Sequence, residues 1–299
     1  MLARTLSGVW AQEGVDLEAI VVDDGSTDGT PTRLEELGEP RLRVIRHEES
    51  KGVAAARNAG VEAARGEWLA FLDDDDLWAP TKLRRQLDVA RAAGATFAYA
   101  GAAIVNEELE LIDLYPAPDS DSLLAELLPG NAMPAGASNV VARADAVREQ
   151  GGFDESLHQL TGWDLWIKLT RAGKPAACDE VLLAYVQHRA AMLISEARRE
   201  LLREFQILAD RHGELGRELG VNAFDRPGLV AWMAWGDSRA GRRFRAAGGF
   251  LRTAAMHRGA MRRWYVRRAI QAARGAHLTD SGRPPADGTA RPEWLDGYQ

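Results

Sequence analysis

Two apolar runs in this chain end in carboxylate clusters, Val21-Val22-Asp23-Asp24 and Phe71-Leu72-Asp73-Asp74-Asp75-Asp76. Four adjacent carboxylates repel one another, and a surface loop seldom needs so many. A divalent cation relieves that repulsion, and hard oxygen ligands suit Mg²⁺ or Mn²⁺, which would in turn carry a diphosphate. The competing reading is a solvated acidic turn capping the helix that follows Pro80. Three chemistries place acidic residues at strand ends: phosphoryl transfer through an aspartate, nucleotidyl transfer, and glycosyl transfer from a nucleotide sugar. The first wants Asp-x-Asp-x-Thr, which Asp23-Asp24-Gly25-Ser26-Thr27 does not match. The second wants a Gly-rich phosphate loop after its first strand, and this chain has none.

The elements that must position these carboxylates alternate along the chain. Leu2, Leu6, Val9 and Trp10 have helical spacing. Leu17–Val22 is a buried strand opening into a loop, and Thr30-Pro31 starts a helix. The unit then repeats: Leu42–Ile45 strand, Val53–Ala64 helix, Trp68–Leu72 strand, a helix from Pro80 to Ala93, and Thr96–Val105 strand. This rhythm implies an α/β fold with a mostly parallel sheet covered by helices on both faces, and ligands then bind at the carboxyl edge of its strands. Beyond Asn106 the pattern predicts a hairpin arm over Leu109–Tyr115, a short helix over Ser122–Leu128, a strand over Ala137–Val141, an amphipathic helix over Trp163–Arg171 and a last strand over Val181–Val186.

Taken together, these segments resemble the family-2 glycosyltransferases, which have the GT-A fold. The matching text is Leu2–Leu6, Val21–Thr30, Gly52–Gly60, Gly66–Pro80, the Gly-Gly-Phe-Asp-Glu-Ser-Leu of Gly151–Leu157, and Trp-Asp-Leu-Trp at Trp163–Trp166. The resemblance is ordered over nearly two-thirds of the chain. It implies an inverting, metal-dependent transfer from a nucleoside-diphosphate sugar, UDP- or dTDP-linked, to an acceptor it does not name. Asp24 sits where the family reads the nucleotide base, and a carboxylate accepting a ring N–H makes chemical sense there. Asp75 is the implied metal ligand, with Asp73 or Asp74 nearer the ribose. Lys51, Arg57 and Asn58 lie in the segment that faces the diphosphate or braces the acidic loop; a plain ion pair between Arg57 and an aspartate is the competing reading. His188 follows the last strand, where family members carry a histidine that joins the metal.

The chain departs from the family pattern twice. The proton acceptor usually precedes the tryptophan of the Trp-Asp-Leu-Trp helix, and here that position is Gly162, in Leu160-Thr161-Gly162-Trp163-Asp164. Asp164 is then the nearby candidate for the base, against the reading of a carboxylate favoured by a helix N-terminus. The family also begins with a strand ending in a Pro-Thr-Tyr-Asn-like turn, whereas this sequence starts at the helix that follows. The resemblance therefore implies either a start further upstream or a compromised sheet, with unpaired backbone on the neighbouring strands. A non-catalytic nucleotide-sugar-binding or scaffold protein is the alternative function.

Bulk properties frame the rest. The 299 residues carry a net charge of −7, which argues against a nucleic-acid partner. Cys178 is the only cysteine, no apolar run reaches the roughly 18 residues of a spanning helix, and the N-terminus lacks a signal-peptide layout, so the expectation is a cytoplasmic protein. Residues 1–194 form the expected donor domain, 195–278 a helical extension and 279–299 a disordered tail. Arginines interleaved with Phe244, Phe250, Trp264 and Tyr265 suit either peripheral contact with anionic lipid or a helical hairpin packed on the donor domain; the sequence favours the hairpin.

Overall fold

A computed structural model describes residues 1–188, 198–275 and 291–298. The chain opens with α1 (Leu2–Trp10), β1 (Ala19–Asp24), α2 (Thr30–Glu36), β2 (Leu42–His47), α3 (Val53–Ala63), β3 (Trp68–Ala70), β4 (Leu77–Trp78) and α4 (Lys82–Ala93). It continues with β5 (Phe97–Val105), β6 (Leu111–Tyr115), α5 (Leu123–Leu127), β7 (Val141–Arg143), α6 (Ala144–Glu149), α7 (Thr161–Ala172) and β8 (Pro175–Val186). Four helices follow: α8 (Arg198–Leu219), α9 (Arg226–Arg239), α10 (Arg243–Met256) and α11 (Gly259–Ala273). A 3-10 turn over Glu293–Tyr298 ends the described chain.

The fold is α/β, but its sheet is mixed rather than mostly parallel. β5 is the central strand; all nine of its residues are buried, as its unbroken apolar text requires. It pairs in parallel with β8 and antiparallel with β6 and β7, while β3 adds antiparallel to β7 and β4 to β8. The short link from β5 to β6 permits only an antiparallel return. The strand expected over Ala137–Val141 begins instead as a 3-10 turn at Gly136–Asn139. There the Asn139 side chain both accepts from the Ala100 backbone N–H and donates to its carbonyl, at 2.9 and 2.7 Å.

β1 and β2 form a separate parallel pair. Among the described residues β1 bonds only to β2 and β3 only to β7, so each keeps one edge without a ladder partner there. Both edges line one cavity of about 850 Å³, roofed by side chains of α1, α3 and α4.

α7 is buried almost all round, with Trp163, Leu165, Trp166, Ile167 and Leu169 inside. α8 covers it: Leu201, Phe205 and Leu208 join the same core, and Trp163 clusters with Phe205 and Phe224 at ring separations of 5.9 and 5.3 Å. The first helix of the expected extension thus shares the core of α7. The second core belongs to the end of α9 with α10 and α11, around Trp235, Phe250 and Tyr265. Within the stretch expected to be disordered, Leu295 is fully buried against β4, β5 and β8. Most of the stretch expected to be disordered, residues 279–290, lies outside the described residues.

Candidate functional site

The carboxyl ends of β1 and β3 bring both acidic clusters to the rim of the 850 Å³ cavity, with Asp23, Asp24, Asp73, Asp74, Asp75 and Arg57 among its lining. Successive strand residues point to opposite sides, so the two β1 aspartates do different things. Asp24 closes the loop into α3: it accepts from His47 Nδ1 at 2.6 Å, Ser50 Oγ at 2.7 Å, the Lys51 N–H at 3.0 Å and the Gly52 N–H at 2.8 Å. Burial works against its charge, but His47 and these donors outweigh burial and hold the carboxyl well below the usual range. Lys51 contributes its backbone here. Asp23 is the buried partner; Oδ1 accepts from the Ser26 N–H at 2.9 Å, while Oδ2 has no hydrogen-bond partner and lies 3.7 Å from Arg46. The family resemblance points to Asp24 alone; the alternation of strand residues is the signal that sets Asp23 apart from it.

At the second cluster, Arg57 on α3 bonds Asp73 at 2.6 Å and stacks over the Phe153 ring at 5.3 Å, its other nitrogen 3.5 Å from Thr161 Oγ1. It thus spans from the acidic strand end to the start of α7. Asn58 holds the Gly151–Leu157 turn through reciprocal bonds with the Phe153 backbone, at 2.8 and 2.9 Å. A side chain at Gly152, which has φ +66°, would collide with Asn58 Oδ1. Asp74 gives its carbonyl to Thr5 Oγ1 of α1 at 2.9 Å. Asp76 is wholly buried, and burial together with Asp73 and Asp75 pushes its carboxyl well up.

Asp75 is raised as well, by burial first and then by Asp73 and Asp74, with His188 opposing. His188 Nε2 lies 3.4 Å from Asp75 and is buried without a hydrogen-bond partner, while Nδ1 meets Glu107 Oε1 at 3.0 Å. A carboxylate held up by its neighbours beside an unpartnered imidazole nitrogen is a donor pair that fits a divalent cation, with Glu107 behind to set the ring's orientation. Among the described residues no cluster of three such ligands is assembled. Glu107, in the turn before β6, has no signal in the sequence that would have singled it out.

The structure does not bring Asp164 to this cleft. Its carboxylate is fully buried beneath α8, bonded to Lys168 at 2.5 Å, His212 at 2.8 Å and Arg211 at 2.9 Å. Burial raises it, but His212, Lys168 and Arg211 outweigh burial and hold it well below the carboxylate range. A proton acceptor must reach its substrate, and this group neither faces the cavity nor lacks partners. Gly162 does lie at the helix start, where an added Cβ would stand 3.2 Å from Trp166 Nε1.

The pattern of Glycosyl transferase family 2 matches residues 1–150, half of the sequence, and the chain belongs to that family. It is similar to the succinoglycan biosynthesis protein ExoO of Rhizobium meliloti, at 46% identity over 97 residues, 32% of this chain and 28% of that one. It is also similar to an Escherichia coli protein, UDP-Glc:alpha-D-GlcNAc-diphosphoundecaprenol beta-1,3-glucosyltransferase WfgD, at 32% identity over 117 residues, 39% of this chain and 46% of that one. The chain thus spans less than half the length of these two relatives. The mannosyltransferase PcManGT of Pyrobaculum calidifontis, solved with GDP-Man and Mn²⁺, superposes over 93% of this chain and 83% of its own, with a TM-score of 0.54 and 19% identity. That likeness extends the GT-A fold to nearly the whole chain.

Proposed function

We propose that the protein transfers a sugar from a nucleoside-diphosphate donor, UDP- or dTDP-linked, with inversion. The observation that carries this is the meeting of both strand-end carboxylate sets and Arg57 around one cavity, with His188 standing beside it, 3.4 Å from Asp75. Asp23 and Asp24 lie at the end where a base would enter, and Asp23 Oδ2 offers the open acceptor. Asp73 and Asp74 border the ribose, and Arg57 and Lys51 face the diphosphate. Asp75 and His188 would hold Mg²⁺ or Mn²⁺, which when bound neutralises charge on the departing diphosphate. Arg57 supplies a fixed positive charge on the same side, and its bond to Asp73 keeps it aimed across the cleft. The acceptor approaches the start of α7, at Thr161 and Gly162; the diphosphoundecaprenol in the name of the Escherichia coli relative favours a lipid-linked acceptor.

A second reading is favoured by one observation. No carboxylate stands at Gly162 and Asp164 is locked in ion pairs, so a protein that binds donor without turning it over also fits. Calorimetry with UDP separates the donor site from chance acidity. Binding should need Mn²⁺ or Mg²⁺, and Asp75→Ala should weaken it by at least tenfold; binding that ignores chelator sinks the assignment. Product analysis then separates the two readings. If the base is lost, Gly162→Asp should turn over donor faster than the parent protein, its carboxylate settling at a helix N-terminus beside the Trp166 N–H, which has no acceptor.

A further inference from the structure

The chain's charge is sharply segregated. Residues 238–279 contain eleven arginines and no acidic residue, while the rest of the molecule holds all 44 acidic side chains against 26 basic ones. α10 and α11 carry most of this stretch. Their apolar packing is already complete, since Ala246, Phe250 and Ala254 of α10 and Tyr265, Ala269 and Ala272 of α11 fill a core with Trp235. Phe244, 71% exposed, and Leu251, 52% exposed, are left outside it. They stand seven residues apart, on one stripe of α10, and Arg245 and Arg252 flank that stripe one position further round. Met256, Met261 and Ile270 are exposed as well, the last within the α11 stripe of Arg263, Arg267 and Arg274. None of Arg245, Arg252, Arg263, Arg267 and Arg274 enters an ion pair among the described residues.

We propose that the α10–α11 face docks on an anionic lipid surface, with Phe244 and Leu251 entering the headgroup boundary and the arginines on the phosphates. The charge supplies long-range attraction, and apolar side chains that the fold leaves outside its core supply the insertion. A nucleic acid fits less well. Single strands are gripped by stacking on aromatic faces, and here Trp235, Trp264 and Tyr265 pack against one another within the helical core, with Arg268 over both indole rings, while Phe244 is already capped by Arg243 at 4.8 Å. The proposal stands apart from the transfer reading, because its readout is vesicle binding without donor or acceptor.

The test is co-sedimentation of the full chain with vesicles of phosphatidylglycerol and phosphatidylcholine, against phosphatidylcholine alone. Binding is expected on the anionic vesicles only and should fall as salt rises. Arg245→Gln with Arg252→Gln should lower partitioning about thirtyfold, from roughly 1 kcal/mol per arginine at such a surface. Phe244→Ser with Leu251→Ser should lower it at least fivefold at an unchanged melting temperature, both sites being exposed. If that double variant melts early, Arg263→Gln with Arg267→Gln on α11 gives the same reading. No vesicle binding, equal binding to neutral vesicles, or duplex DNA binding tighter than vesicle binding and indifferent to Phe244 and Leu251 would each overturn the proposal.

Discussion

At the scale of single residues, the clearest consequence concerns Asp164. Its carboxylate pairs with Lys168 and Arg211 and bonds His212 inside the protein, and Arg211 also reaches Asp154 at 2.8 Å, so one α8 side chain ties the start of α7 to the turn before it. Removing the anion leaves Lys168 and Arg211 facing one another without it, over a fully buried position. Asp164→Asn should therefore cost about 3–5 kcal/mol, as breakage of a buried pair does, and lower the melting temperature more than it changes nucleotide affinity at permissive temperature. The pH dependence follows from the sign of the shift. Asp164 and Asp24 both titrate below their unfolded values, so their stabilisation is present above about pH 4 and is lost as pH falls through the folded values. Melting temperature should drop steeply below pH 4 in the parent protein and less steeply in Asp164→Asn. An unchanged slope would mean that the buried pair carries no linkage.

At the scale of elements, α8 does more than extend the chain. Glu204 is fully buried and accepts the backbone N–H groups of His158, Gln159 and Leu160 at 2.8, 3.0 and 2.9 Å, donors left unpaired ahead of α7. Glu204→Ala should strand three N–H groups at a cost of about 1–3 kcal/mol each before relaxation. Hydrogen exchange should quicken at residues 158–160 while β5 and β8 stay protected; uniform exchange would argue against a local brace. These contacts also explain what the sequence could and could not disclose. The acidic strand ends, the α3 segment and the turn at Gly151–Leu157 are local texts, and the structure gathers them where strand-end logic expects. Besides Lys168, the partners of Asp164 are Arg211 and His212, 47 and 48 residues away on α8, and no local pattern announces them. Similarly, alternation of strands and helices suggested parallel pairing, but three-residue β7 reverses direction through a buried Asn139 network that periodicity does not register. The arginine-rich helices read as an amphipathic hairpin, and they do pack, though on α9 rather than on the donor domain.

At the scale of the whole molecule, the two ends of the chain meet. Tyr298 donates its hydroxyl to the Trp78 carbonyl at 2.6 Å, burial having pushed that hydroxyl up to about 12, and it occupies the space that a side chain at Gly8 of α1 would fill. Trp294 donates to the Val181 carbonyl at 3.0 Å and Arg291 to that of Leu109 at 2.9 Å, with Leu295 sealed among Leu77, Ala103, Val105 and Ala184. A tail with few core-forming residues thus closes the β4–β8 edge and presses on the helix whose Thr5 steadies Asp74. Deleting residues 289–299 uncovers that edge. Loss of the Leu295 and Trp294 packing, at about 1.5–3 kcal/mol for each large side chain, should lower the melting temperature by on the order of 10 °C. Leu295→Ala should give a smaller loss of about 2–5 kcal/mol without shortening the chain, which separates packing from truncation. Because α1 borders the acidic cluster, both variants should also weaken cation-dependent UDP binding, and Gly8→Ala should reproduce the weakening by displacing Tyr298 while the tail remains. If the truncated protein melts and binds as the parent does, the tail lies idle on the surface and α1 holds its place unaided.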